Sequence, residues 1–569
     1  MPKIREQATF NPDAYSVPHN TPPGPQILSA HVDTFACEQL PPRELWPVMA
    51  AFGIPDLEYP AKLNAAAELL DRNVENGSGA HPCLCTDNEV WSYEKLLHYA
   101  NRIANLLVSR GMAPGERVLL RDINSPMLAA CWFAVLKAGG IAVTTMSLLR
   151  AQELAAILTK AQVKYALCAR ELGQELIKAQ DVAPVLKEII FYENTHSAGL
   201  PPFLADFSPE FNNVVTFQDD VALIAFSSGT TGEPKATVHF HRDLLAICDT
   251  FSKYLLQPQR NDIFCGSPPL AFTFGLGGLL LFPMRAGAST LLLPKVTAEA
   301  LLQAIERHGC TICFTAPTLY RSMIEFVPRF DLTSLKKCVS AGESLPLTVF
   351  EAWLKATGLK IIDGIGSTEM LHIFISAAGN EIRPGATGKP VPGYEAIVVD
   401  DAGRPLPANI PGRLAVRGPT GCRYLAALEF QRKYVQQGWN ITGDSYRVDE
   451  DGYFWYEGRT DDLIVSAGYK ISAVEVEAAL MGHPGVTECA VIGSPSEDRG
   501  EIVKAFVVVK SGTTADDLLR RELQDYVKSQ IAPYKYPRAI EFVTELPHTP
   551  TGKLQRSRLR EQQKQRPRT

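Results

Sequence analysis

The sequence predicts an α/β protein, with doubly wound sheets in a large N-terminal part and a compact α+β unit of roughly a hundred residues at the end. Three observations carry this. From Trp91 onward, helical-period segments alternate with short apolar runs. One such run, residues 221–226, opens straight into a loop of hydroxyls and glycines that ends in Lys235. Toward the C-terminus, strand-like runs at 489–493 and 505–509 precede a helical stretch at 516–531.

Length and composition agree. At 569 residues the chain is too long for one core and implies two to four domains or subdomains. Hydrophobic content of 46% and charged content of 21% fit a soluble globular protein. A net charge of −6 gives no footprint for nucleic acid or an anionic membrane. The 12 cysteines are scattered, as in a reducing, cytoplasmic protein. Cys83-x-Cys85 and Cys310-x-x-Cys313 read as packing thiols. The N-terminus lacks a signal peptide's apolar core, and the charge-free segment 263–284 is broken by Pro268, Pro269 and Pro283, so no membrane span is expected.

Residues 1–60 are proline-rich and read as an extended arm with a short helix near 43–52 and no chemistry. Leu96, Leu97, Ala100, Ile103, Ala104 and Leu107 recur at helical spacing, with Gly111 placed to end the helix. Residues 117–120 read as a strand, 127–137 as an apolar helix stopped by Gly139-Gly140, and 141–145 as the next strand. Residues 154–159 and 165–168 repeat the cycle. Ligands on such folds gather at the carboxyl ends of strands.

At that place stands Phe226-Ser227-Ser228-Gly229-Thr230-Thr231-Gly232-Glu233-Pro234-Lys235. Glycine permits close backbone approach, hydroxyls and N–H groups can donate to phosphate oxygens, and Lys235 adds charge. The string is not a Walker A loop, because Glu233-Pro234 precedes the lysine and Ala236 follows it. His239-Phe240-His241 shows no carboxylate partner and reads as structural. Phe272, Thr273, Phe274 and Gly275 lie in a kinked aromatic segment. Gly342-Glu343 and Asp363-Gly364-Ile365-Gly366-Ser367-Thr368-Glu369 each follow an apolar run; Glu369 offers a hard oxygen for Mg²⁺ and Thr368 a donor for phosphate. Asp444 follows an expected tight turn. Gly458-Arg459-Thr460-Asp461 and Gly468-Tyr469-Lys470 come next, then Thr551-Gly552-Lys553. The basic run at 556–568 reads as a solvated tail.

Five of these strings, over roughly residues 90–555, resemble in sequence and order the signatures of the adenylate-forming superfamily of acyl-CoA synthetases, luciferases and peptide-synthetase adenylation domains. The resemblance implies a large N-terminal domain (1–460) with a β-subdomain and a small mobile C-terminal domain (461–569) hinged at Asp461. It implies ATP phosphates on Ser227, Ser228, Gly229, Thr230, Thr231, Gly232 and Lys235. The nucleotide would be bordered by Gly342, Glu343, Asp363, Gly364, Ile365, Gly366 and Ser367, with Thr368 on the α-phosphate and Mg²⁺ on Glu369. Asp444 would hold the ribose, Arg459 the nucleotide, and Lys553 the reacting carboxylate. Gly468 and Tyr469 would line the CoA tunnel.

Ile365 stands where the family often has tyrosine, and the string from Asp363 through His372 to Phe374 looks like the benzoate and 2-aminobenzoate CoA ligase branch. Phe272, Thr273, Phe274, Gly275, Gly366 and His372 would then form the acid pocket. Substrates would be a small carboxylic acid, ATP and CoA, in a monomer or homodimer. A medium-chain fatty acyl-CoA synthetase, a ligase loading a carrier protein and a non-catalytic nucleotide-binding protein stay open as alternatives.

Overall fold

The computed structural model describes residues 28–50, 52–193, 200–227, 234–460, 464–466, 469–496, 500–531, 533–548 and 554–565. Two mixed α/β sheets form the large part. In the six-stranded sheet the order is Glu188–Tyr192, Tyr165–Ala169, Arg117–Arg121, Ile141–Thr145, Val221–Ser227 and Lys235–Phe240. All neighbours are parallel except the last pair, which is antiparallel. The strands on either side of the hydroxyl-rich stretch thus pair antiparallel. The nine-stranded sheet is parallel through Ile361–Gly366, Lys337–Ala341, Ile312–Thr315, Ile263–Gly266, Ser289–Leu291 and Pro82–Cys85, with antiparallel strands at both ends.

Side-chain alternation places each sheet between two cores. In Arg117–Arg121, Val118 and Leu120 enter the central core shared by both sheets, whereas Leu119 faces the outer core. The helices Tyr93–Ser109 and Pro126–Lys137 fill the central core. Their N-caps are as expected for a serine before a helix: Ser92 accepts from Lys95 N and Ser125 from Leu128 N. Gly111, at φ +84°, follows the first helix in a conformation that favours glycine. Cys310 and Cys313 pack in the outer core of the nine-stranded sheet, and Cys83 in the central one.

A five-stranded sheet spanning Glu395–Val399 to Phe454–Arg459 is the β-subdomain. A second five-stranded sheet, from Ile464–Ser466 to Ala539–Phe542, packs with helices Ala473–Met481 and Asp517–Gln530 to form the C-terminal α+β unit. Among the described residues, no helix is long and apolar enough to cross a membrane.

Three expectations change. The helix near 43–52 is only a 3₁₀ turn at Arg43–Leu45, because Trp46 is extended ahead of Pro47. The arm is strapped down: Asp220 accepts from Ser29 Oγ and Ala30 N, Arg117 pairs with Asp33, and Met49 bridges Gly418. The tight turn before Asp444 is instead a bulge within the strand Trp439–Val448, with Gly443 at φ +78°. The basic tail is only partly solvated: Arg556–Gln565 is a helix in which Leu559 is buried and Arg556 pairs with Glu477, while Ser557, Arg558, Glu561 and Gln562 are exposed.

Candidate active site

A cavity of about 1700 Å³ opens where the strand ends of both α/β sheets meet the β-subdomain and the C-terminal unit. Its wall collects Ser227, Lys235, Gly342, Glu343, Asp363, Gly364, Ile365, Gly366, Ser367, Thr368, Glu369, Asp444 and Arg459. Residues as far apart in the chain as Ser227 and Arg459, 232 positions, thus share one surface.

Each is placed by its element. Ser227 and Lys235 face each other across the antiparallel pair. The Lys235 ammonium lies 4.9 Å from the Phe430 ring centroid and 6.0 Å from that of Tyr424. Gly342 takes φ +90° just past the strand Lys337–Ala341, and Glu343 accepts from Thr318 Oγ1 at 2.6 Å.

The turn after Ile361–Gly366 is tightly held. Ser367 Oγ accepts from Met370 N, the Thr368 carbonyl accepts from Leu371 N, and Leu371 takes φ +70°. Thr420 Oγ1 donates to the Met370 carbonyl at 2.8 Å. Glu369 Oε1 accepts from Tyr424 Oη at 2.6 Å.

Asp444 receives Arg459 Nη1 at 3.1 Å. Burial pushes the Asp444 carboxyl up, and the Arg459 guanidinium opposes that shift. A Cβ at Gly443 would lie 2.8 Å from Arg459 Nη2, so the glycine leaves room for the guanidinium beside Asp444. Burial pushes Asp363 up to about 7.

Phe272, Thr273, Phe274, Gly275 and His372 do not line this cavity. Phe274 and His372 instead join a cage behind it: the rings of Phe251, Phe274 and Phe282 lie 5.6, 5.6 and 4.6 Å from His372, and that of Phe314 at 6.5 Å. His372 is 3% exposed, and neither ring nitrogen makes a hydrogen bond of good geometry, although the Phe274 backbone lies near enough to oppose the effect of burial. Burial pushes it down to about 3, so the ring is neutral. Two glycines permit this arrangement: a Cβ on Gly277 would lie 2.4 Å from His372 Cδ2, and one on Gly366 2.7 Å from the His372 carbonyl oxygen. Phe272 and Thr273 are half-buried at the mouth of the segment, and Gly275 packs against the Pro269 carbonyl.

Ser228, Gly229, Thr230, Thr231, Gly232, Asp461, Gly468 and Lys553 lie outside the described residues. Only the backbone of Tyr469 is described, in the strand Tyr469–Ile471.

The sequence reading gave His239 no carboxylate partner, and the structure supplies one. Asp243 Oδ2 lies 3.8 Å from His239 Nδ1, with all three of His239, Asp243 and its ion-pair partner Arg423 fully buried. The reading also passed over Tyr424, Phe430 and Tyr434. Tyr424 reaches the site by pairing with Thr237, a contact across the chain that no local pattern announces.

The fold and this cavity define an enzyme class built to hold a nucleotide between a large and a small unit. The chain belongs to the AMP-binding enzyme family, the adenylate-forming superfamily: the AMP-binding enzyme model matches residues 70–424 and the AMP-binding enzyme C-terminal domain residues 475–553. Among its relatives is a benzoate–CoA ligase of Thauera aromatica, 35% identical over 89% of this chain and 97% of its own length. The anthranilate CoA ligase AuaEII, solved with anthranoyl-AMP, superposes with a TM-score of 0.84 at 36% identity, over 89% of this chain and 98% of its own. A benzoate CoA ligase from Burkholderia xenovorans LB400 gives a TM-score of 0.79 at 33% identity, over 87% and 99% of the two chains.

Proposed function

We propose that this chain is an ATP-dependent aryl-CoA ligase that adenylates an aromatic acid, 2-aminobenzoate or benzoate, and transfers the acyl group to CoA. The observation that carries the proposal is the single wall on which Ser227, Lys235, Thr368, Glu369, Asp444 and Arg459 converge, with a caged, neutral His372 behind it. In the first step a carboxylate oxygen attacks the α-phosphorus of ATP, the α–β bridging bond breaks, and pyrophosphate leaves with the electron pair. In the second, the CoA thiol loses its proton, the thiolate attacks the acyl carbon, and AMP departs.

Neither step needs a covalent enzyme intermediate, so positioning and charge neutralisation do the catalysis. Ser227 and Lys235, with the loop through Thr231, would hold the terminal phosphates. Thr368 would donate to the α-phosphate, and Asp444 would accept from the ribose hydroxyls. Glu369 suits Mg²⁺: its carboxylate faces the cavity, one oxygen is already oriented by Tyr424, and among the described residues it forms no ion pair. When bound, Mg²⁺ would neutralise phosphate charge. Lys553 would bridge the carboxylate and the α-phosphate.

In this reading, residues 1–460 form one domain and 461–569 another, pivoting at Asp461 so that Lys553 withdraws and Gly468 and Tyr469 meet CoA. The working place is cytoplasmic. The likeness to aryl-CoA ligases favours a flat aromatic acid, and in this reading His372, now packed among the cage rings, would meet a ring substituent from behind the cavity wall. Pyrophosphate release measured over a panel of aryl and alkyl acids tests the assignment. A best rate on a medium-chain alkyl acid overturns it, and AMP formation that needs no CoA for turnover favours carrier-protein loading instead.

A further inference from the structure

We propose that Tyr424 is a positioning residue for Glu369, fixing one carboxylate oxygen so that the other is presented to the divalent cation. This rests on the reading of Glu369 as the cation's ligand. A glutamate on a turn has three side-chain torsions, and holding one geometry requires a partner. Tyr424 Oη provides it at 2.6 Å, within the range of a charge-assisted O–H···O⁻ bond. A phenol carries its proton at neutral pH, and a carboxylate oxygen can only accept, so the hydroxyl donates. An ionised carboxylate accepts at about four sites, so this bond leaves capacity for a cation.

Tyr424 is itself held on three sides. Its backbone bridges Thr237 on the strand Lys235–Phe240, flanked by Val238 N to Arg423 O at 2.8 Å and Leu425 N to Ala236 O at 2.9 Å. Its own N–H donates to Gln431 Oε1 at 2.9 Å. Its ring packs with Tyr434 at 5.8 Å and Phe430 at 6.5 Å. Tyr424 is 1% exposed, so the hydroxyl has little freedom to turn elsewhere. The segment that carries it is thus paired to the strand that begins with Lys235. Tyr424 is one link between that strand and Glu369.

The test uses the full-length chain with Mn²⁺ as the probe and α,β-methylene-ATP as the nucleotide, reading bound Mn²⁺ by electron paramagnetic resonance. Outer partners of ligating carboxylates typically contribute about 10–100-fold in metal affinity. Tyr424→Phe is therefore expected to weaken Mn²⁺ by about tenfold or more and to raise the Mg²⁺ needed for half-maximal pyrophosphate release by a similar factor. Adding Tyr424→Phe to Glu369→Gln should change nothing further, since the hydroxyl acts through the carboxylate. Parental Mn²⁺ affinity in Tyr424→Phe, or a full additional loss in the double variant, overturns the proposal. Should Glu369→Gln alone bind Mn²⁺ as the parent does, the ligand reading fails and the positioning role with it. If Tyr424→Phe does not fold, Tyr424→Leu, also without a hydroxyl, is judged on the same readout.

Discussion

His239 Nε2 lies 2.8 Å from the carbonyl oxygen of Thr368, and because a carbonyl can only accept, the imidazole must carry its proton there. The other ring nitrogen points toward Asp243, which Arg423 neutralises. A buried imidazole thus holds the peptide of the residue proposed to meet the α-phosphate. His239→Leu removes the donor and leaves that carbonyl short of a partner, at a cost of about 1–3 kcal/mol. The adenylation kcat should fall by about tenfold or more, and His239→Gln, which can return an N–H near the same place, should recover most of it. Equal loss in both variants would mean packing alone.

Asp363 titrates near 7 in the folded chain, against about 3.9 when unfolded. Between those values the native state keeps a proton that the unfolded state releases, so this group's contribution to stability falls as pH rises through the window. Asp363→Asn removes the dependence. Unfolding by urea should find the variant equal to the parent at pH 4 and more stable by roughly 1–3 kcal/mol at pH 8. A difference that stays constant with pH would contradict the buried-carboxyl account.

His372 should discriminate between acids. In His372→Leu, kcat/KM for 2-aminobenzoate is expected to drop by about tenfold or more, the range for a lost substrate hydrogen bond, while benzoate changes by less than about threefold. Parallel losses on the two acids would assign the histidine to cage packing only.

Lys553→Ala should lose adenylation by about 10²–10³-fold, as for removal of one charge-stabilising donor, yet still convert supplied acyl-AMP and CoA to thioester. Stopped-assay measurement of the two half-reactions separates these outcomes. Matching losses in both would remove Lys553 from the first step.

Much of the architecture could be read locally because it is written in periodicity. The helix at 93–109 and the strand at 117–121 announce themselves by apolar spacing, and Gly111 by its place after the last apolar turn. The convergence of the site strings was partly legible too, since Gly342, Glu343 and residues 363–369 each follow an apolar run and now line one cavity. The misreadings have longer-range causes. Asp243 joins His239 only because the chain turns from strand to helix between them. The basic run from 556 became a packed helix because Leu559 found a buried apolar cluster and Arg556 found Glu477. The bulge at Gly443 depends on how Trp439–Val448 registers against Gly412–Arg417, and register is not a property of one segment.

The two flanks of the lysine-bearing stretch are tied to each other, to the C-terminal sheet at Glu488 and to the helix Ala473–Met481 at Glu477. His548 bridges Leu554 and contacts Glu488, Gln555 N donates to the Pro547 carbonyl, and Arg556 grips Glu477. If the C-terminal unit pivots as proposed, a dye attached far from the chemistry would serve as a proxy for that lysine. Leu518, 75% exposed on the helix Asp517–Gln530, and Val182, 71% exposed at the end of Gly173–Val182, offer a donor–acceptor pair that leaves every nucleotide contact intact. Energy transfer between them would report the proposed pivot of the C-terminal unit in real time.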